Sequence, residues 1–261
     1  MNKIKIIFKF LKYRFKSQTK FDIHSPFVYE LLIKCINDKK KYLDYIVIEN
    51  LRKDLLKNKK TIEIQDFGAG SLISSSKTRT ISEITLNSAK QKKYAQLLFR
   101  LIKYFQPQNI LELGTSMGIS SAYMAKAAPN AQLITIEGSN NISEIAIENF
   151  RELNIENIIV KTGNFDNILK DVLKENRNFD FIFFDGNHRK EPTLKYFQQC
   201  LSYKKPDTVF IFDDIHWSEE MEEAWAEIKN SEQVSMSIDL FFIGLIFFRK
   251  EFTKQHFIIR F

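Results

Sequence analysis

The hydrophobic pattern of this chain predicts an α/β fold. The expected architecture is a doubly wound, mostly parallel sheet of seven strands, ending in an antiparallel hairpin and preceded by a helical N-terminal extension. Three observations carry that expectation. Five short apolar runs alternate with stretches of helical periodicity between residues 110 and 212. The first of these runs ends on a turn containing Gly114 and Gly118. The final two runs, Val234–Ile238 and Phe241–Phe248, follow each other with only a few residues between them, which suits a hairpin.

The chain has 261 residues, which fits one large domain with an extension, here divided into an extension over 1–90 and a main domain over 91–261. A formal net charge of +7 is spread over lysines along most of the chain, so it reads as solubilising and gives no strong nucleic-acid signal. Two cysteines, Cys35 and Cys200, lie far apart without paired spacing, which argues against a disulfide framework and a zinc site and fits a reducing cytoplasm. No apolar run reaches the length of a bilayer span, and Lys9 and Lys12 interrupt what would be the apolar stretch of a signal peptide.

In order along the chain, residues 1–16 form a basic amphipathic helix with Ile4, Ile7, Phe8, Leu11 and Phe15 at helical spacing. Such a helix suits packing on its own domain or across a homodimer, and equally a peripheral contact with a membrane surface. A break at Phe21–Phe27 contains His24 and Pro26, and a helix over Phe27–Ile36 follows, with a further helical stretch ending near Lys60. The segment 61–76 opens like a short strand, with Ile62 and Ile64 alternating with polar residues. It continues into a second glycine loop, Gly68–Gly70, read as a lid. Residues 77–88 are expected to be a helix near the ligand cleft. Tyr94, Leu97, Leu98, Leu101, Ile102 and Phe105 then form one stripe on a helix that Pro107 ends. The strands expected next are Ile110–Leu113, Gln132–Ile136, Asn157–Lys161, Phe179–Phe184 and Thr208–Phe212. Helices are expected between them and near 217–229, and the tail from Gln255 is a candidate edge strand.

In open α/β sheets ligands bind beyond the carboxyl ends of the strands, so the chemistry is sought in the residues that follow each run. The first run is followed by Gly114, Thr115, Ser116 and Gly118, whose backbone N–H groups can approach a ligand closely. The spacing is G-x-x-x-G, so the dinucleotide fingerprint fails. Glu112, beside this loop, repels phosphate and attracts a cation such as a sulfonium. Glu137 and Gly138 follow the second run, and a carboxylate there can accept hydrogen bonds from two ribose hydroxyls. Asn164 and Phe165 follow the third and can frame an adenine. Asp185 and His188 follow the fourth, and Asp213 and Asp214 the fifth. Three carboxylates at neighbouring tips repel one another unless a cation lies among them, and oxygen ligands favour Mg2+, Mn2+ or Ca2+ over zinc.

With E-L-G-T-S-x-G over 112–118 and these acidic tips, the stretch from about Tyr94 to Lys250 resembles a class I S-adenosylmethionine (SAM)-dependent methyltransferase. Within that class it is most similar to the metal-dependent O-methyltransferases of the catechol, caffeoyl-CoA and macrocin types. The resemblance implies a Rossmann-like fold, SAM as cofactor and a small-molecule acceptor hydroxyl. It also implies a divalent metal, possible ligands being Asp185, Asp213 and Asp214. That family often carries a lysine base three residues beyond the first metal aspartate. Here the position is His188, which takes the catalytic role together with Asp185. The competing expectations are a metal-free methyltransferase of the same fold with His188 or His216 as base, and a nucleic-acid methyltransferase, for which no N-P-P-Y, D-P-P-Y or Pro-Cys motif is present.

Overall fold

Strand alternation builds two cores, one on each face of the central sheet. Ile110, Phe181 and Phe183 pack with helices of the N-terminal half, whereas Leu111, Ile182 and Phe184 pack on the opposite side with Phe210 and Phe212. The computed structural model describes residues 3–64, 78–175 and 178–261. The expected Gly68–Gly70 loop lies outside the described residues.

The extension comprises α1 (Lys3–Lys16), α2 (Pro26–Leu31) with a π-helical turn at Leu32–Ile36, α3 (Leu43–Lys57), a small antiparallel pair of β1 (Thr61–Glu63) and β2 (Thr78–Thr80), and α4 (Ile81–Ser88). Ser25 caps α2 with Pro26 in its first turn. Thr80 and Glu83 form a capping box at α4, so that helix starts four residues later than the sequence pattern suggests. In α1, Tyr13 is buried and donates to the Ile259 carbonyl, and Phe10 packs edge-on against Phe241 at 5.1 Å. The helix therefore docks on its own domain, while Ile4, Ile7, Phe8, Leu11 and Phe15 remain exposed.

After α5 (Lys92–Phe105) the order is β3 (Asn109–Leu113), α6 (Ile119–Ala127), β4 (Gln132–Glu137), α7 (Asn140–Glu152), β5 (Ile158–Thr162), α8 (Phe165–Glu175), β6 (Phe181–Phe184), α9 (Lys190–Leu201), β7 (Val209–Asp213), α10 (Glu219–Asn230), β8 (Met236–Asp239), β9 (Ile243–Phe247) and β10 (Gln255–Ile258). The sheet order is β10-β8-β9-β7-β6-β3-β4-β5. β3 to β7 are mutually parallel, and β9 runs antiparallel between β7 and β8.

Among the described residues the sheet has eight strands, the eighth being the candidate edge strand of the tail, which pairs parallel to β8 with Phe257 opposite Ile238 and buries Phe257 and Ile259. The hairpin strands are shorter than expected, and the turn between them has three residues where the sequence pattern leaves two. Leu240, Phe241 and Phe242 form that turn, with Phe241 at φ 75° and its N–H donated to Asp239. An apolar turn is stable here because Phe241 is covered by Phe10, Tyr13 and His216. Among the described residues no helix is long and apolar enough to cross a membrane.

Candidate active site

The sheet reverses its winding between β3 and β6, and the carboxyl ends of strands at such a switch point are where an open α/β sheet forms its ligand crevice. The glycine loop lines it. Gly114 has φ 108°, and a Cβ on it would fall 2.2 Å from the carbonyl oxygen of Asp185. Only glycine allows the first and fourth crossings to approach this closely. Gly118 has φ 77° at the head of α6, where a Cβ would fall 2.5 Å from the Phe150 ring. Thr115 is buried and shares a hydrogen bond with Thr135 at 2.7 Å. Ser116 donates its N–H to Glu137 at 2.9 Å, and its hydroxyl meets that of Ser88 at 2.6 Å. Glu137 also accepts from the Ser139 N–H at 3.0 Å, across Gly138, so its carboxylate is aimed along the loop. Asn164 caps α8 through the Asp166 N–H at 2.9 Å. Phe165 stands edge-on to Tyr196 at 5.6 Å, and a Cβ on Gly186 would strike its ring.

Glu112 lies elsewhere than the loop mouth. Its carboxylate is wholly buried and accepts from Ser120 at 2.6 Å, from Ser121, and from Thr135 at 2.7 Å. Burial pushes its pKa up to about 7 against the lowering effect of these hydroxyls.

The acidic tips converge beside the loop. Asp185 donates its N–H to the Leu113 carbonyl at 2.9 Å, which fixes it next to Gly114. One ligand atom each from Asp185, His188 and Asp213 lie within 4.8 Å of one another, and His188 Nε2 is 3.8 Å from Asp185 Oδ1. Asp214 is not part of that group: its backbone turns into the left-handed region at φ 52°. Lys90, which no sequence motif marks, joins this group. Its ammonium contacts Asp213 and stands 3.4 Å from Asp185 Oδ1. Burial raises the Asp185 pKa, with Lys90 and His188 opposing that rise. The second oxygen of Asp213 is buried with no hydrogen-bond partner among the described residues. Lys90 carries no motif: it is one of three lysines from Ala89 to Lys93, and the other two open α5.

The remaining histidines are placed apart from this group. His216 bridges Glu222 at 3.0 Å and Asp239 at 2.8 Å. Burial lowers its pKa, but the two carboxylates outweigh burial and the net shift is upward. His24 lines a groove with Met236 and Phe257, at the opposite end of β8 from Asp239.

Residues 111–215, which span β3 to the tip of β7, match the family model of a methyltransferase domain. That stretch is therefore similar to a methyltransferase domain. A catechol O-methyltransferase of Niastella koreensis is 36% identical over 131 residues, 49% of this chain and 57% of that protein, so the match spans little more than half the relative's length. An O-methyltransferase of Bacillus cereus, solved with S-adenosylhomocysteine (SAH), superposes with a TM-score of 0.57 at 18% identity, over 84% of this chain and 96% of its own. An SAH-bound methyltransferase of Podospora anserina gives 0.61 at 13% identity, over 87% and 97%. A SAM-bound O-methyltransferase of Streptomyces achromogenes gives 0.54 at 22%, over 62% and 82%. At these identities the solved structures show the fold alone.

Proposed function

We propose that the chain transfers the methyl group of SAM to a hydroxyl oxygen of a small molecule. One observation carries this reading: the glycine loop and the acidic pocket adjoin, since Gly114 lies against the backbone of Asp185. The donor is assigned to the loop from Gly114 to Gly118, with Glu137 receiving ribose hydroxyls and Asn164 and Phe165 framing the adenine. The acceptor is assigned to the pocket of Asp185, His188 and Asp213. Its oxygen attacks the methyl carbon, the carbon–sulfur bond breaks, SAH leaves and His188 takes the hydroxyl proton. Holding both reactants in line supplies roughly 7–11 kcal/mol of the barrier without a covalent intermediate.

Two carboxylates with one imidazole suit a divalent ion that accepts both oxygen and nitrogen, such as Mn2+, and among the described residues an Asp213 oxygen is buried without a partner. Asp185, His188 and Asp213 would hold such an ion, and when bound it would withdraw charge from the acceptor oxygen. The imidazole can serve as ligand or as base, not as both at once. A metal-free course is favoured by the lysine ammonium already placed on the two carboxylates.

The test is methyl transfer from labelled SAM to a panel of small hydroxyl compounds, catechol first, with SAM binding followed by calorimetry. Transfer to oxygen is the expected result. An absence of heat with SAM would overturn the assignment.

A further inference from the structure

We infer that Lys90 is a tethered cation that occupies the acidic pocket, so that a divalent ion binds only by displacing it. The inference rests on the reading of Asp185, His188 and Asp213 as the ion-binding locus. It begins from burial: the Lys90 side chain is 10% exposed, that of Asp185 12% and that of Asp213 1%. A surface lysine keeps its rotamer freedom and its hydration, and this one has given up both to stand between two carboxylates.

Its position is also set by the backbone on both sides. The Ala89 N–H is donated to Thr85, and Ser88 bonds both the Ile84 carbonyl and the Ser116 hydroxyl. On the far side, the Gln91 carbonyl accepts from Tyr94 and Ala95. The link from α4 to α5 therefore delivers the lysine to the pocket between two anchored helices.

The charges then decide the competition. Two close carboxylates in a poorly solvated site need a counter-charge, and either an ammonium or a metal ion provides one. Both together would place cations against each other at a distance where repulsion is strong. Among the described residues Asp213 still offers an unpartnered buried oxygen, so the pocket keeps coordinating capacity that one ammonium does not use.

The test is a Mn2+ titration of the full chain, wild type against K90M and K90R, by calorimetry and by electron paramagnetic resonance of the free ion. K90M is expected to bind one Mn2+ at least about tenfold more tightly than wild type, and K90R to stay near wild type because it keeps the charge. Equal affinity in wild type and K90M, or binding by neither, overturns the inference. A second measurement needs no variant: reductive methylation of wild-type lysines, read by mass spectrometry. Lys90 should label more slowly than exposed lysines without ion, and faster in saturating Mn2+. Labelling of Lys90 that Mn2+ leaves unchanged also overturns it. Neither measurement uses SAM or an acceptor, so failure of methyl transfer and failure of this inference are read separately.

Discussion

Replacing Glu112 by glutamine should change the pH dependence of stability in a defined direction. The carboxyl has no exposed surface, and its pKa rises from the ordinary 4.5 to about 7. The folded protein therefore holds a proton there that the unfolded chain has already released. Stability from this group is complete below pH 4.5 and is lost as pH climbs through 7. The gap between 4.5 and about 7, at ~1.36 kcal/mol per pH unit, amounts to about 3 kcal/mol. Glutamine keeps the shape and removes the titration, and Ser120, Ser121 and Thr135 have hydroxyl lone pairs that can receive its amide protons. Denaturant unfolding of E112Q and wild type at several pH values between 4.5 and 8 measures the difference. E112Q should gain about 3 kcal/mol relative to wild type over that range. A difference that stays flat with pH would refute the account of a carboxyl destabilised by burial.

Gly114→Ala should lower stability by about 2–5 kcal/mol, since the new methyl meets the Asp185 carbonyl and φ 108° is strained for any L side chain; a fall in Tm below that of a Gly138→Ala control measures it. Glu137→Gln should weaken SAM binding by about tenfold or more while the far-UV spectrum stays unchanged, if the carboxylate receives ribose hydroxyls as proposed. His216→Ala should cost most stability in acid. The His216 pKa is raised in the fold, so its pairing with Asp239 and Glu222 is fully present below the unfolded value and is lost as pH rises through the folded one. Unfolding at pH 6 should therefore separate wild type and variant more than unfolding at pH 9.

The parallel sheet was legible because its strands are continuous apolar runs ended by glycine or acid. Phe181–Phe184 is one such strand, with its two Phe faces separated by simple alternation. The same alternation also bears on Glu112. It shares a face with Ile110, toward α6, and following strand parity would have placed it among the α6 hydroxyls. The apolar turn at Phe241 was hidden because its stability comes from α1, more than 200 residues away in sequence. Lys90 was hidden for a related reason: its role depends on a link that folds over the tips of β6 and β7, and nothing local distinguishes it from neighbouring lysines. Which aspartate of the pair at the end of β7 joins the pocket is decided by the left-handed backbone at Asp214, a single dihedral with no sequence mark.

Arg100 reaches from α5 to the carbonyls of Cys35 at 2.8 Å and Ile36 at 3.2 Å, closing the end of the π-helical turn with a buried guanidinium. The apolar residues around it belong to a core that runs without interruption from Val28 to Leu245. The extension should consequently melt with the rest of the chain in one endotherm. Shortening the protein to residue 91 would strip that guanidinium of its acceptors and open a flank of α5 to water, yielding an insoluble fragment in place of a smaller folded domain.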